Sequence, residues 1–221
     1  HGCWNNIQMD SRIKILIMIL NCDLEKKFGK ELKKEVNLSN YSWFNLGGNA
    51  EYFFKAKNIN QLKEFLKNAK KNSLKLTILG AGSNTLFRDK GVKGAVVKLS
   101  KDFSYIKVID KNILDVGAAT LDRKVANFAK DKSLGNLEFL SCIPGSIGGA
   151  IAMNSGCYDN DISKVLLSLR AIDINSLSEI EIKKEDIKFF YRGTNLSKDL
   201  IIISAKLKGV LGKKDEIEKK Q

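Results

Sequence analysis

Histidine, proline and arginine are scarce in this sequence. The single histidine is His1, which removes the side chain most used for acid–base work near neutral pH and the commonest metal ligand from the body of the chain. The four cysteines, Cys3, Cys22, Cys142 and Cys157, form no C-x-x-C pair. A zinc site and a histidine-assisted nucleophile are therefore not expected, no metal is assigned, and free thiols of a reducing cytoplasm fit this usage. The apolar run Ile15 to Leu20 is too short to span a bilayer and is followed by no small-residue cleavage site, so membrane insertion is not expected either. Of 38 basic residues only five are arginine (Arg12, Arg88, Arg123, Arg170, Arg192). A net charge of +13 invites a nucleic-acid reading, but such readers favour bidentate arginine and exposed aromatics. The lysine excess reads instead as a solvated surface that helps attract an anionic substrate.

What is present is glycine, in two informative places. The apolar run Leu76 to Leu79 opens into Gly80, Ala81, Gly82, Ser83 and Asn84, a strand feeding a loop able to present N–H groups to a phosphate. Downstream, Gly145, Gly148 and Gly149 surround the only proline, Pro144, with Ser146 between them. Backbone there can approach a flat or phosphorylated ligand with no Cβ in the way. The first loop lacks the third glycine of the Rossmann fingerprint and the Lys-Ser/Thr of a P-loop, so neither nucleotide fold is indicated. Either loop alone would read as a turn; two together suggest a dinucleotide.

The 221 residues suit one large or two small domains. Helices are expected after Asp23, after Asn60 (Leu62, Phe65, Leu66, Ala69 on one face), and from Thr120 to a close at Gly135. Strands are expected at 51–56, 76–79, 95–99, 104–109, 113–116, 165–174, 179–182 and 200–207. Mixed order without βαβ alternation indicates α+β. Residues 1–20 read as an atypical N-terminal extension, with Met9 or Met18 the expected natural start.

Four segments in order resemble the UDP-N-acetylenolpyruvoylglucosamine reductases, the MurB family: Asn45-Leu46-Gly47-Gly48; Leu79 through Leu86; Cys142 through Tyr158; and Tyr191-Arg192. Together they lie within about residues 40 to 208. Cys142 stands where that family usually has glycine, and Ser155 and Cys157 where it has alanine. The resemblance implies an FAD-binding fold of the p-cresol methylhydroxylase (PCMH/VAO) type, with two α+β subdomains: a first lobe at 21–75, a second at 76–208, and at 209–221 the start of a truncated substrate domain. It implies NADPH-dependent, FAD-mediated reduction of UDP-N-acetylenolpyruvoylglucosamine to UDP-N-acetylmuramate, a cytoplasmic step of peptidoglycan precursor synthesis, by a monomer.

Carried onto this sequence, the cofactor contacts are Asn45, Gly47, Gly48, Gly80, Ala81, Gly82, Ser83, Asn84, Pro144, Gly145, Ser146, Gly148, Gly149 and Asn154. Arg192 is the catalytic candidate, steadying the carboxylate and developing enolate, with Tyr191 beside it on the substrate. A salt bridge from Arg192 to Asp186 or Asp199 is the plainer alternative, and for Asn154 an Asx turn. Gly82 and Gly148 are expected to admit no side chain because a Cβ would enter cofactor space. With His1 outside the motifs, histidyl attachment is excluded and FAD is expected to be non-covalent. The family's proton-donating Ser or Cys and its late Glu do not occur before Gln221, so FAD binding without full turnover is expected of this chain. Alternatives are another PCMH-type flavin oxidoreductase acting on a sugar or alcohol, and a non-catalytic basic binding protein.

Overall fold

A computed structural model describes residue 24 and residues 26–220. The N-terminal extension, the helix cap at Asp23 and the thiols Cys3 and Cys22 lie outside the described residues.

The first sheet is built from β1 (Leu32–Asn37), β2 (Asn49–Ala56), β3 (Leu76–Leu79) and β4 (Val92–Leu99), in the order β1-β2-β4-β3. β1 runs antiparallel to β2, whereas β2 and β3 both pair parallel with β4. Parallel neighbours need a crossover, and α1 (Ile59–Lys71) supplies it between β2 and β3. Asn58, rather than the expected Asn60, caps α1: its side chain accepts the N–H of Gln61 at 2.9 Å. The stripe Leu62, Phe65, Leu66 and Ala69 is fully buried, and the Phe65 ring stacks on Phe54 of β2 with centroids 3.9 Å apart. Phe53, one residue earlier, points to the other face and packs with Leu38, Leu79, Phe87 and Val96.

The second sheet is antiparallel throughout. It contains β5 (Ile106–Asp110), β6 (Ile113–Gly117), β7 (Leu166–Asp173), β8 (Glu179–Lys183) and β9 (Leu200–Lys208), in the order β8-β7-β9-β6-β5. Helices α2 (Asp122–Asp131) and α3 (Ile147–Ala152) share its core through Val125, Ala129, Ile147 and Ile151, which meet Leu114, Val116, Leu169 and Leu207. Ile172, Ile201 and Ile203 join the α1 core instead, so the two sheets are fused through apolar packing.

Two expectations are corrected. A lobe boundary near residue 75 would cut the first sheet, because β3 and β4 both belong to it and the sheet closes only at Leu99. The helix expected from Thr120 to Gly135 is shorter: α2 ends at Asp131, and Ser133 turns the chain in the left-handed region (φ 55°). Gly135 sits instead in a short ladder opposite Val210. The charged tail forms a short helix, Lys214–Glu218, whose Ile217 is buried near Gly135.

Candidate functional site

A cavity of about 310 Å³ opens between the sheets. Its walls come from the carboxyl ends of β3 and β4 (Ile78 to Ala81; Lys98, Leu99), the segment after β6 (Ala118, Ala119, Leu121), α3 with its preceding residue (Ser146, Gly148, Gly149, Ala152), and β9 (Leu200, Ile202). An adjoining opening of about 500 Å³, reaching Tyr41, Trp43 and Asn45, shares Ala81 and Lys98 with it. The two form one groove past the carboxyl ends of parallel strands, the usual ligand position in such sheets.

The two glycine loops meet at Ser146. Its hydroxyl lies 2.9 Å from where a Cβ on Gly80 would stand and 3.8 Å from one on Gly149. Ser146 is buried and begins α3 from an extended backbone without using its side chain as a cap, so the hydroxyl remains at the cavity wall. In the first loop the N–H groups of Ala81, Gly82, Ser83 and Asn84 donate to no acceptor among the described residues. Four successive open donors at a strand's end suit an anion. The second loop is different, since the N–H groups of Ile147 and Gly148 go to the carbonyls of Thr120 (3.0 Å) and Ala118 (2.9 Å). Gly145, Ser146 and Gly149 of that turn keep open N–H groups among the described residues, and a Cβ on Gly149 would meet nothing closer than the Ser146 hydroxyl.

Gly82 does not keep its side chain short for a ligand. Its φ is +82°, and a Cβ would stand 1.9 Å from the Tyr41 carbonyl oxygen, so the backbone of residues 41–42 is what excludes it. For Gly148 the limiting neighbour is Ala118, at 3.1 Å. Gly47 and Gly48 lie outside the cavity wall; a Cβ would meet Phe87 at 2.5 Å and the Asp89 carbonyl at 2.0 Å respectively, which makes them a close loop-on-loop approach. Asn45 lines the adjoining opening. Ser83 is half-buried, Pro144 and Asn84 are exposed, and Asn84 Nδ2 donates to Met153 Sδ at 3.2 Å, linking the two loops. Asn154 is held at both ends of its amide: Nδ2 donates to the Phe190 carbonyl and Oδ1 accepts the Ser163 N–H.

Behind Gly145 stands Asp122, fully buried, with neither carboxyl oxygen hydrogen-bonded among the described residues. A Cβ on Gly145 would fall 2.5 Å from Asp122 Oδ2, so the Pro144–Ser146 turn lies directly on this carboxyl group. Burial pushes its pKa up to about 8, which keeps the group uncharged at neutral pH.

Tyr191 and Arg192 sit at the tip of a hairpin joining Phe189–Phe190 to Gly193–Thr194, both exposed, with the guanidinium 5.6 Å from the Tyr191 ring centre. Neither lines the cavity. The hairpin is moored to the α3 end of the site by Asn154 and by Thr194 Oγ1, which donates to the Ala152 carbonyl. Among the described residues Arg192 makes no salt bridge, so the alternative partners Asp186 and Asp199 do not engage it.

Lys98 is the residue that sequence reasoning missed. It lines both openings, and its ammonium donates to the Gly80 carbonyl at the root of the first loop. Burial, and then the charge of Lys55, lowers its pKa. The available signal was a lysine interrupting the apolar end of β4 (Ala95-Val96-Val97-Lys98-Leu99).

The apolar walls, the open N–H groups and the nearby ammonium fit a flat cofactor carrying phosphates, and the exposed faces of Ile78 and Leu121 fit its rings. Comparison with known proteins agrees. The sequence model of the FAD binding domain matches residues 50–176. The UDP-N-acetylenolpyruvoylglucosamine reductase of Pelagibacter ubique (strain HTCC1062) is 41% identical over 197 residues, covering 87% of this chain and 65% of the relative. That of Rickettsia canadensis (strain McKiel) is 41% identical over 187 residues, covering 85% and 62%. The chain thus spans less than two thirds of the length of these relatives. Among solved structures, UDP-N-acetylenolpyruvylglucosamine reductase (MurB) from Thermus caldophilus superposes with a TM-score of 0.74 at 27% identity, over 86% of this chain and 66% of that one. An alkyldihydroxyacetonephosphate synthase shares the fold alone (TM-score 0.64, 13% identity, 87% of this chain and 40% of that one). The expected resemblance and the FAD-binding fold of the p-cresol methylhydroxylase type are borne out. With a family match over more than half of its length, the chain belongs to the FAD-binding-domain family.

Proposed function

We propose that this chain is the FAD-binding part of an NADPH-dependent UDP-N-acetylenolpyruvoylglucosamine reductase, forming UDP-N-acetylmuramate for peptidoglycan in the cytoplasm. The observation that carries the reading is the meeting of two glycine loops at the Ser146 hydroxyl, one of them offering four open N–H groups. The identity of about 41% to reductases of that name supports the choice of substrate. When bound, FAD supplies the two-electron relay between NADPH and substrate.

The chain's own residues bind and orient. Ala81 to Asn84 donate N–H groups to the pyrophosphate, and Lys98 offsets its charge. Ser146 and the Gly149 N–H hold the flavin edge, with Ile78, Leu121 and Ile202 keeping water from it. Arg192, at a hairpin tip and without a salt bridge among the described residues, grips the carboxylate of the enolpyruvyl group in two places and steadies charge that develops there, while Tyr191 flanks the substrate. The binding is non-covalent, and the protein acts as a monomer without nucleic acid. Surface lysines that pair with carboxylates, as in Lys63–Glu179 and Lys206–Glu181, support that last point. No helix of the described residues is long and apolar enough to cross a membrane, and no three metal-ligating side chains cluster among them.

The test is reconstitution. Folded protein mixed with FAD and desalted should retain a flavin spectrum, and acid precipitation should release the colour into the supernatant. Colour that stays with the denatured chain, or a folded sample that retains no flavin, would overturn the reading.

A further inference from the structure

Two of the cysteines flank the second glycine loop. Cys142 ends the 3₁₀ turn Glu138–Cys142 immediately before Ile143 and Pro144, and its side chain is exposed. Cys157 follows α3 on the short strand Gly156–Cys157, half-buried against the same core cluster as Ile143. The turn and the strand pack on each other, which brings the Cys142 and Cys157 side chains close enough for one to perturb the other. We propose that Cys142 and Cys157 form a reversible intramolecular disulfide when the protein meets a peroxide, a modification site that ties together the two ends of the segment carrying Pro144 to Asn154.

The chemistry assigns different roles to the two sulfurs. Attack on peroxide needs an accessible thiolate. Cys142 is the exposed partner. The Cys157 thiol is held high by burial first and then by the neighbouring Cys142, against the opposing pull of the Arg192 guanidinium. Cys142 therefore reacts first: its sulfur attacks one peroxide oxygen, the O–O bond breaks, and a sulfenic acid forms while the other oxygen leaves as hydroxide and takes the thiol proton to become water. The Cys157 sulfur then attacks the Cys142 sulfur, the S–O bond breaks, and the departing hydroxide leaves as a second water with the Cys157 proton. The two thiols lose two electrons together and one peroxide becomes two waters. A dithiol reductant reverses the reaction by thiol–disulfide exchange.

A disulfide needs Cα atoms about 5.5 Å apart, a separation that two segments packed directly on each other can reach. Because the segment between them contains the whole second loop and α3, closing it restrains Ser146 and Gly149 without placing any group in the cavity. The inference stands apart from the cofactor reading, since neither thiol lines the cavity.

The experiment uses the full chain, reduced, then treated with hydrogen peroxide, alkylated and digested with trypsin. The segment 133–164 contains both cysteines and, before Lys164, no Lys or Arg, so both fall in one peptide. That peptide is expected to lose two hydrogens and both alkylation sites, and to recover them after dithiothreitol. With dimedone present, Cys157→Ser should carry the adduct on Cys142, whereas Cys142→Ser should carry none on Cys157. A peptide that keeps both thiols alkylatable, a bond from Cys142 to Cys3 or Cys22, or an adduct on Cys157 in Cys142→Ser would overturn the assignment. The wild-type mapping needs no variant to fold.

Discussion

The two glycine loops have similar composition and opposite uses of their backbone. Residues 80–84 leave a row of N–H groups open and fix their shape through Gly82, which lies against Tyr41. Residues 144–149 instead direct the N–H groups of Ile147 and Gly148 into the segment after β6, and present to the cavity the Ser146 hydroxyl and the open N–H groups of Ser146 and Gly149. The first loop is a ligand-facing cradle held from behind; the second is a strut whose ligand-facing groups are confined to Ser146 and Gly149. A glycine therefore marks a close approach, and only the tertiary fold decides whether backbone or ligand is what approaches.

Substitutions separate these uses. The largest effect is expected for Gly82→Val, because its Cβ would overlap the Tyr41 carbonyl and valine disfavours φ +82°. A loss on the order of 3 kcal/mol, or about 10 °C in Tm, should appear in a thermal melt without FAD. An unchanged melt with lost FAD affinity would return Gly82 to the cofactor-contacting class. Gly149→Val should do the reverse: its Cβ meets nothing closer than the Ser146 hydroxyl at 3.8 Å, so the cofactor-free Tm should hold within a few degrees. FAD affinity, read by fluorescence titration, should fall roughly 100-fold, as steric loss of a close contact worth about 3 kcal/mol would give.

The smallest effect concerns the carboxyl behind the second loop. Asp122 has a folded-state pKa raised to about 8, far above its unfolded value, so the folded state binds the extra proton. Stability is then fully present below the unfolded pKa, declines as pH rises from about 4 toward about 8, and levels off above that. Asp122→Asn should remove this component and raise stability most at pH 8 and above, by an amount on the order of 1 kcal/mol or a few degrees in Tm, since a buried amide keeps its own desolvation cost. Parallel Tm–pH curves for the two proteins would contradict the assignment.

Much of the fold was legible in the sequence, and the failures have physical reasons. Leu76–Leu79 was read with the observed bounds, because an apolar run that stops at Gly80 leaves little choice. α1 was placed two residues late because Asn58 and Asn60 are both competent caps, and only the bond to Gln61 decides between them. The close of α2 was placed at Gly135 because glycine is the usual left-handed residue, yet Ser133 adopts that conformation here. The lobe boundary was hidden since pairing of β4 with both β2 and β3 is non-local, and no local pattern announces it. At the site, Gly80, Ala81, Ser146, Gly148 and Gly149 were both anticipated and brought together at one cavity. Lys98 escaped because it is one of two lysines in its strand, meaningful only once the strand ends side by side with β3.

Amide hydrogen exchange with and without FAD tests the contrast between the loops most directly. The amides of Ala81 to Asn84 and of Gly149 should exchange fast in the cofactor-free protein and become protected on adding FAD, while those of Ile147 and Gly148 should be protected in both states. Protection of Ala81 to Asn84 already present without FAD, or new protection confined to Ile147 and Gly148, would contradict the account.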